Sequence, residues 1–129
     1  MRTTLAIAVG GAVGTMARYG LGTWIQRATA TFPLSTLVIN VTGSFLLGFL
    51  MRWMLSTTAS PDLRAALTIG FCGGYTTFST YSYETATLLE DGQYGRAGTY
   101  ALASVVLALV ATFAGFVLAR ELIALRERI

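Results

Sequence analysis

Small and polar residues recur at every fourth position along three of the four long apolar runs in this chain. In the first run, from about Thr4 to Ile25, they are Gly10, Gly14, Arg18 and Gly22. In the second, from about Leu34 to Met54, they are Thr36, Asn40, Ser44 and Gly48, and in the last, from about Tyr94 to Leu118, Tyr100, Ser104, Ala108 and Thr112. Residues four apart lie above one another on a helix, so each run predicts an α-helix with one small or polar stripe on an apolar surface. Such a stripe lets a second backbone approach closely. The third run, from about Leu63 to Leu89, departs from this pattern. Its stretch from Gly70 to Glu84, GFCGGYTTFSTYSYE, crowds glycines, hydroxyls and aromatic rings into the middle of an apolar segment. A continuous spanning helix has no use for that middle. Non-helical backbone at membrane depth survives only where protein or a water-filled cavity satisfies the freed N–H and C=O groups, so a helix broken near Gly73 to Thr77 and lining an ion pathway is predicted.

A helix that crosses a bilayer needs about 20 residues, and four such runs with short connections fill the chain. The expectation is an all-α integral membrane protein of the cell inner membrane, multi-pass, with residues 1–129 forming one transmembrane domain. Its four-helix bundle comprises residues of about 4–25, 34–54, 63–89 with the break near 73–77, and 94–118. The connections are Gln26 to Pro33, the turn-forming Ser60 to Asp62 between Arg52 and Arg64, and Glu90 to Gly92. Arg120, Glu121, Arg126, Glu127 and Arg128 read as a solvated interfacial tail. A four-helix bundle fills itself with its own side chains, so a solute path is expected between subunits, and an oligomer is expected.

Composition agrees with the membrane class: 54% of the 129 residues are hydrophobic and 12% are charged, with a mean hydropathy of +0.64. The net charge of +3 comes from scattered arginines without lysine, which excludes a nucleic-acid patch. Cys72 is the only cysteine and histidine is absent, which removes disulfides, thiolate or imidazole metal clusters and histidine-based triads. Little enzyme chemistry remains. A secretory signal peptide is a rival reading of the first run, but its glycine and arginine stripe suits a packed helix better. GGAVG lacks the full dinucleotide-binding pattern, and the first acidic residue, Asp62, falls far beyond where a ribose-binding acid belongs.

Three side chains are costly in such a setting. Arg18 is an ionisable group inside an apolar run, either snorkelling to the interface or lining a pathway. Asn40 offers two donors and an acceptor, for a ligand or for a neighbouring helix. Glu84 lacks a partner acid or histidine for acid/base work, so a salt bridge to an arginine such as Arg18 is the preferred reading. The hydroxyls of Ser79, Thr80 and Ser82 have no general base nearby in sequence and do not read as nucleophiles. Hydroxyls, carboxamide donors and the positive edges of Phe78 and Tyr81 would together solvate an anion, whereas a permanent positive charge in a pore would hold it too tightly. Carbonyls freed at the break suit a hard cation such as Na+.

GGAVGTMARYG, STLVINVTGSFLLGF and GFCGGYTTFSTYSYE resemble the CrcB/Fluc family of fluoride channels, over essentially the whole chain. The resemblance implies a four-helix subunit in an antiparallel, dual-topology homodimer with two fluoride pores. It also implies a structural Na+ at the centre of the interface, and escape of cytoplasmic fluoride left by the entry of neutral HF. On matching positions, the family's phenylalanine box falls on Phe78 and Tyr81, its pore asparagine on Asn40, and its Na+-binding backbone carbonyls on Gly73 and Thr76. Tyr100 and Ser104 match its polar track, Ser79 and Thr80 further pore-lining hydroxyls, and Arg18 an arginine near the vestibule. Two departures stand out: Tyr81 replaces a usual phenylalanine, and Ala108 stands where a polar-track serine can occur. The competing functions are a small proton-coupled drug exporter, which needs a carboxylate that the first run lacks, and a non-transporting assembly subunit, which needs no broken helix. An even number of spans sets Arg2, Arg52, Arg64, Arg120, Arg126 and Arg128 on one side against Arg27 and Arg96, a bias toward one orientation unless the acid-interleaved tail counts for little.

Overall fold

In the computed structural model, residues 1–27 and 32–129 are described, so part of the Gln26 to Pro33 connection lies outside the described residues. Every regular element among the described residues is helical. α1 spans Arg2–Gln26 and α2 Leu34–Leu55; α3, Pro61–Ala65, runs into a π-helical segment, Ala66–Cys72, and a last turn, α4, Gly73–Tyr75. α5 is Phe78–Glu90 and α6 Tyr94–Glu127. α2 and α6 are long and apolar enough to cross a membrane. α1 is diluted by its threonines and by the glycines and arginine of its stripe, and the third run is divided into shorter pieces.

Helix ends account for the connections. Ser60 accepts a hydrogen bond from the Leu63 N–H, and Pro61 opens α3 at the position where a missing N–H costs nothing. The Arg64 guanidinium donates to the carbonyls of Met54 and Thr57, closing the end of α2. Gly92 turns the chain with φ of 71°, a conformation open to glycine without strain. α6 continues through the expected tail to Glu127, because Arg120 to Arg128 alternate with acids and apolar residues that are all good helix formers.

Two backbone-to-backbone packings set the core. A methyl group on Gly10 would overlap the Ala66 carbonyl, and one on Gly14 the Phe71 carbonyl. One on Gly70 would come within 2.6 Å of the Ile7 oxygen, and one on Gly74 within 2.5 Å of the Gly11 oxygen. The glycines of α1 and of the π-helical segment thus interlock, and the wider π turn is accommodated where no side chains intervene. The second packing joins α2 to α6, where Gly48 would place a methyl group 2.5 Å from the Thr112 oxygen. It brings the two fourth-residue stripes, Thr36 to Gly48 and Tyr100 to Thr112, face to face.

Candidate functional site

The site is built around two residues that leave the helix. Thr76 (ψ 157°) and Thr77 (φ −151°, ψ 115°) are extended, between α4 and α5. The expected break near Gly73 to Thr77 is therefore narrower at the backbone: Gly73 to Tyr75 stay helical.

Side chains replace the missing helical hydrogen bonds. In a continuous helix the Thr77 N–H would donate to the Gly73 carbonyl, but here it donates to Asn40 Oδ1 at 2.8 Å. Asn40 Nδ2 in turn donates to the Thr77 carbonyl at 3.0 Å. The Thr80 N–H, which a helix would send to the Thr76 carbonyl, donates to Thr77 Oγ1 at 3.2 Å and so caps α5. α2 grips the same turn elsewhere: Thr42 and Tyr75 share a hydrogen bond of 2.9 Å, and Gly43 leaves room for Thr76 and Tyr75. Asn40 is thus a clamp across the interruption as well as a potential donor, with its second N–H still to place.

Beside the break lies a cavity of about 380 Å³ between α2, α5 and α6. Asn40, Phe78, Tyr81 and Ser104, four of the expected pathway residues, line it together with Thr76 and Thr77. No charged side chain does. The rings of Phe78 and Tyr81 lie 5.4 Å apart, tilted by 47°. The Tyr81 hydroxyl donates to the Ala101 carbonyl at 3.3 Å, which turns the para position toward α6.

On the other side of Thr77 is a wider, polar basin of about 760 Å³, lined by Arg18, Arg27, Thr36, Thr80 and Glu84 among others. Glu84 does not form the expected ion pair with Arg18. Its carboxylate accepts from Thr36 Oγ1 at 2.8 Å and from the Tyr100 hydroxyl at 2.6 Å. Two charge-assisted hydrogen bonds from neighbouring helices fix the carboxylate without a cation, and Arg18 is left facing the basin.

Of the remaining expected residues, Thr80 lines the basin and Thr76 the cavity, while Tyr100, Ser79 and Gly73 line neither. Tyr100 is fully buried, its ring 5.4 Å from that of Tyr81 and 5.6 Å edge-on to that of Phe32. Its hydroxyl reaches a basin residue through Glu84. Ser79 lies on the exposed side of α5, with its hydroxyl 3.3 Å from Thr77 Oγ1; Thr80 lines the basin and takes the Thr77 hydroxyl at 3.0 Å. Gly73 is open, with nothing within 4 Å of where a Cβ would stand. Thr77 and Thr36 were not singled out as site residues. Thr36 carried a signal, the same stripe as Asn40; Thr77 carried one too, as the hydroxyl three residues before Thr80 where α5 begins.

Comparison with known proteins follows the same lines. The family model described as CrcB-like protein, Camphor Resistance (CrcB), matches residues 5–116. A Geobacter sulfurreducens protein named fluoride-specific ion channel FluC is 55% identical over 124 residues, 95% of this chain and 100% of its own length. Proteins of the same name from Geobacter metallireducens and Thermus thermophilus are 50% and 46% identical, over 95% and 92% of this chain and 100% and 94% of their own lengths. These relatives are named as channels and not as enzymes, and with the family model covering most of its length the chain belongs to the CrcB-like family.

Proposed function

We propose that this chain forms a fluoride-selective channel that lets fluoride leave the cytoplasm passively across the inner membrane. It works as an antiparallel homodimer with two pores and a structural Na+ at the interface. The observation that carries the reading is the lining of the smaller cavity: two aromatic rings, hydroxyls and a carboxamide among aliphatic side chains, with no charged side chain. A small, strongly hydrated anion gives up water only where donors replace it, and neutral donors release it again, as a fixed cation would not. The basin with Arg18 and Arg27 gathers anions at the mouth. Phe78 and Tyr81 then present ring edges, with the second Asn40 N–H and the Ser104 hydroxyl as donors.

The dimer is supported by the exposure of Phe78, 77% in the single chain. A ring that faces a dehydrated ion needs a second wall, and a second copy supplies it. For Na+, the residues fit. The Thr77 and Thr80 N–H groups, which a helix would send to the Gly73 and Thr76 carbonyls, donate instead to Asn40 and to Thr77, and carbonyl oxygens released at such a break suit a hard cation. When bound there, Na+ would tie the two breaks together.

The test is ion efflux from liposomes loaded with fluoride or chloride, with an ionophore to carry the balancing charge. Fluoride release with chloride retained is the expected result. Comparable chloride release would overturn the selectivity, and no fluoride release would return the chain to the exporter reading.

A further inference from the structure

The hydroxyls of the helices differ in where they bond. Some reach another element, as Thr36 does to Glu84. Others bond back into their own helix, as Thr42 does to the Val38 carbonyl at 2.8 Å, Thr85 to Tyr81 at 2.8 Å and Thr112 to Ala108 at 2.9 Å. That bond is the default for a helical serine or threonine without a better partner. Ser44 and Ser104 do not make it. Ser104 Oγ is buried with no partner, and the half-buried Ser44 hydroxyl has none among the described residues.

Both serines line the neutral cavity, Ser44 from α2 and Ser104 from α6. The other polar side chains around it have protein partners, Asn40 with one N–H to spare. Asn40 holds Thr77, Thr77 holds Thr80, Thr76 bonds to the Cys72 carbonyl, Tyr81 to Ala101 and Thr112 to Ala108. One turn beyond Ser104, α6 presents Ala108 and therefore no hydroxyl. Thr112 Oγ1 lies 3.4 Å from the Ser44 carbonyl, which sets Ser44 beside the turn from Ala108 to Thr112.

We infer that Ser44 is a further anion ligand of the pathway, its hydroxyl supplying from α2 the donor that α6 lacks at Ala108. The inference rests on the fluoride-channel reading. A cavity hydroxyl that no protein group engages is free to donate to water or to a ligand that enters the cavity. Two unused donors on facing walls form a relay, in which an ion leaving Ser104 finds its next partner across the cavity. Ser44 belongs to the stripe through Asn40, four residues earlier on the same face.

The experiment compares initial fluoride efflux from liposomes holding equal amounts of dimeric wild type, Ser44→Ala, Ala108→Ser and the double variant. Ser44→Ala is expected to be at least tenfold slower, and Ala108→Ser to restore the rate in the double variant to within about threefold of wild type. The thermal midpoint of Ser44→Ala should equal that of wild type, since the lost hydroxyl touches no protein group. Ser44→Ala within twofold of wild type overturns the inference, as does a double variant no faster than Ser44→Ala or a large drop in the midpoint. A wild type that releases no fluoride overturns instead the channel reading beneath it.

Discussion

The basin and the cavity meet at Thr77 yet differ in kind. The basin is wide and holds two arginines and a carboxylate; the cavity is half its volume and holds no charge. In the wide space water screens a charge, so on the proposed reading Arg18 would raise the local concentration of anions without binding them tightly. In the narrow space screening is lost, and a charge would either trap or exclude an ion. The division of labour is therefore one of dielectric as much as of residue type.

The sharpest way to break that contrast is to put a charge in the cavity. Asn40→Asp sets a carboxylate beside a passing anion, a repulsion of about 4 kcal/mol at 4 Å and an effective dielectric constant of 20. It also removes the N–H that holds the Thr77 carbonyl. Fluoride efflux should fall by at least a hundredfold in protein that still elutes as a dimer on gel filtration. If assembly and flux fall in proportion, Asn40 is only a clamp.

Neutralising the basin should do much less. Arg18→Gln is expected to slow efflux about threefold to tenfold at low ionic strength and hardly at all near 0.3 M salt, where the Debye length is only about 5 to 6 Å. A loss that persists unchanged at high salt would make Arg18 a direct ligand instead.

The smallest effect is expected at Tyr81, where the contrast rests on ring edges. Its hydroxyl is engaged with the Ala101 carbonyl at a long 3.3 Å, so Tyr81→Phe keeps the edge and gives up a weak bond, about 0.5 to 1.5 kcal/mol of stability. Its efflux should stay within about twofold of wild type, while Tyr81→Ile, which removes the edge, should be the slower of the two. A Phe variant as slow as the Ile variant would give the hydroxyl the role assigned to the ring.

The helices were legible in the sequence because fourth-residue stripes are a local signal. The stripes on α2 and α6 even meet, and Asn40, Phe78, Tyr81 and Ser104 share one cavity. What the sequence did not disclose depended on pairings between distant residues. Glu84 reads as a carboxylate in search of an arginine until Thr36 and Tyr100, far off in the chain, are seen to satisfy it. The cap on α5 was hidden in the same way, since the Thr77 hydroxyl meets the Thr80 N–H only once Thr77 is placed in extended backbone. The length of α6 was missed for another reason. Charge ends a membrane span but not a helix, so hydropathy locates the first boundary and says nothing of the second.

The interruption at Thr76 and Thr77 contains neither proline nor glycine, and no covalent constraint forbids either residue a helical conformation. What keeps the segment open is a choice between two registers of hydrogen bonding, decided by the Asn40 carboxamide and the Thr77 hydroxyl. Remove both and the two diverted N–H groups are free to return to the Gly73 and Thr76 oxygens, mending the rod. A proline break would be permanent; this one is reversible, encoded in side chains that a point substitution can erase.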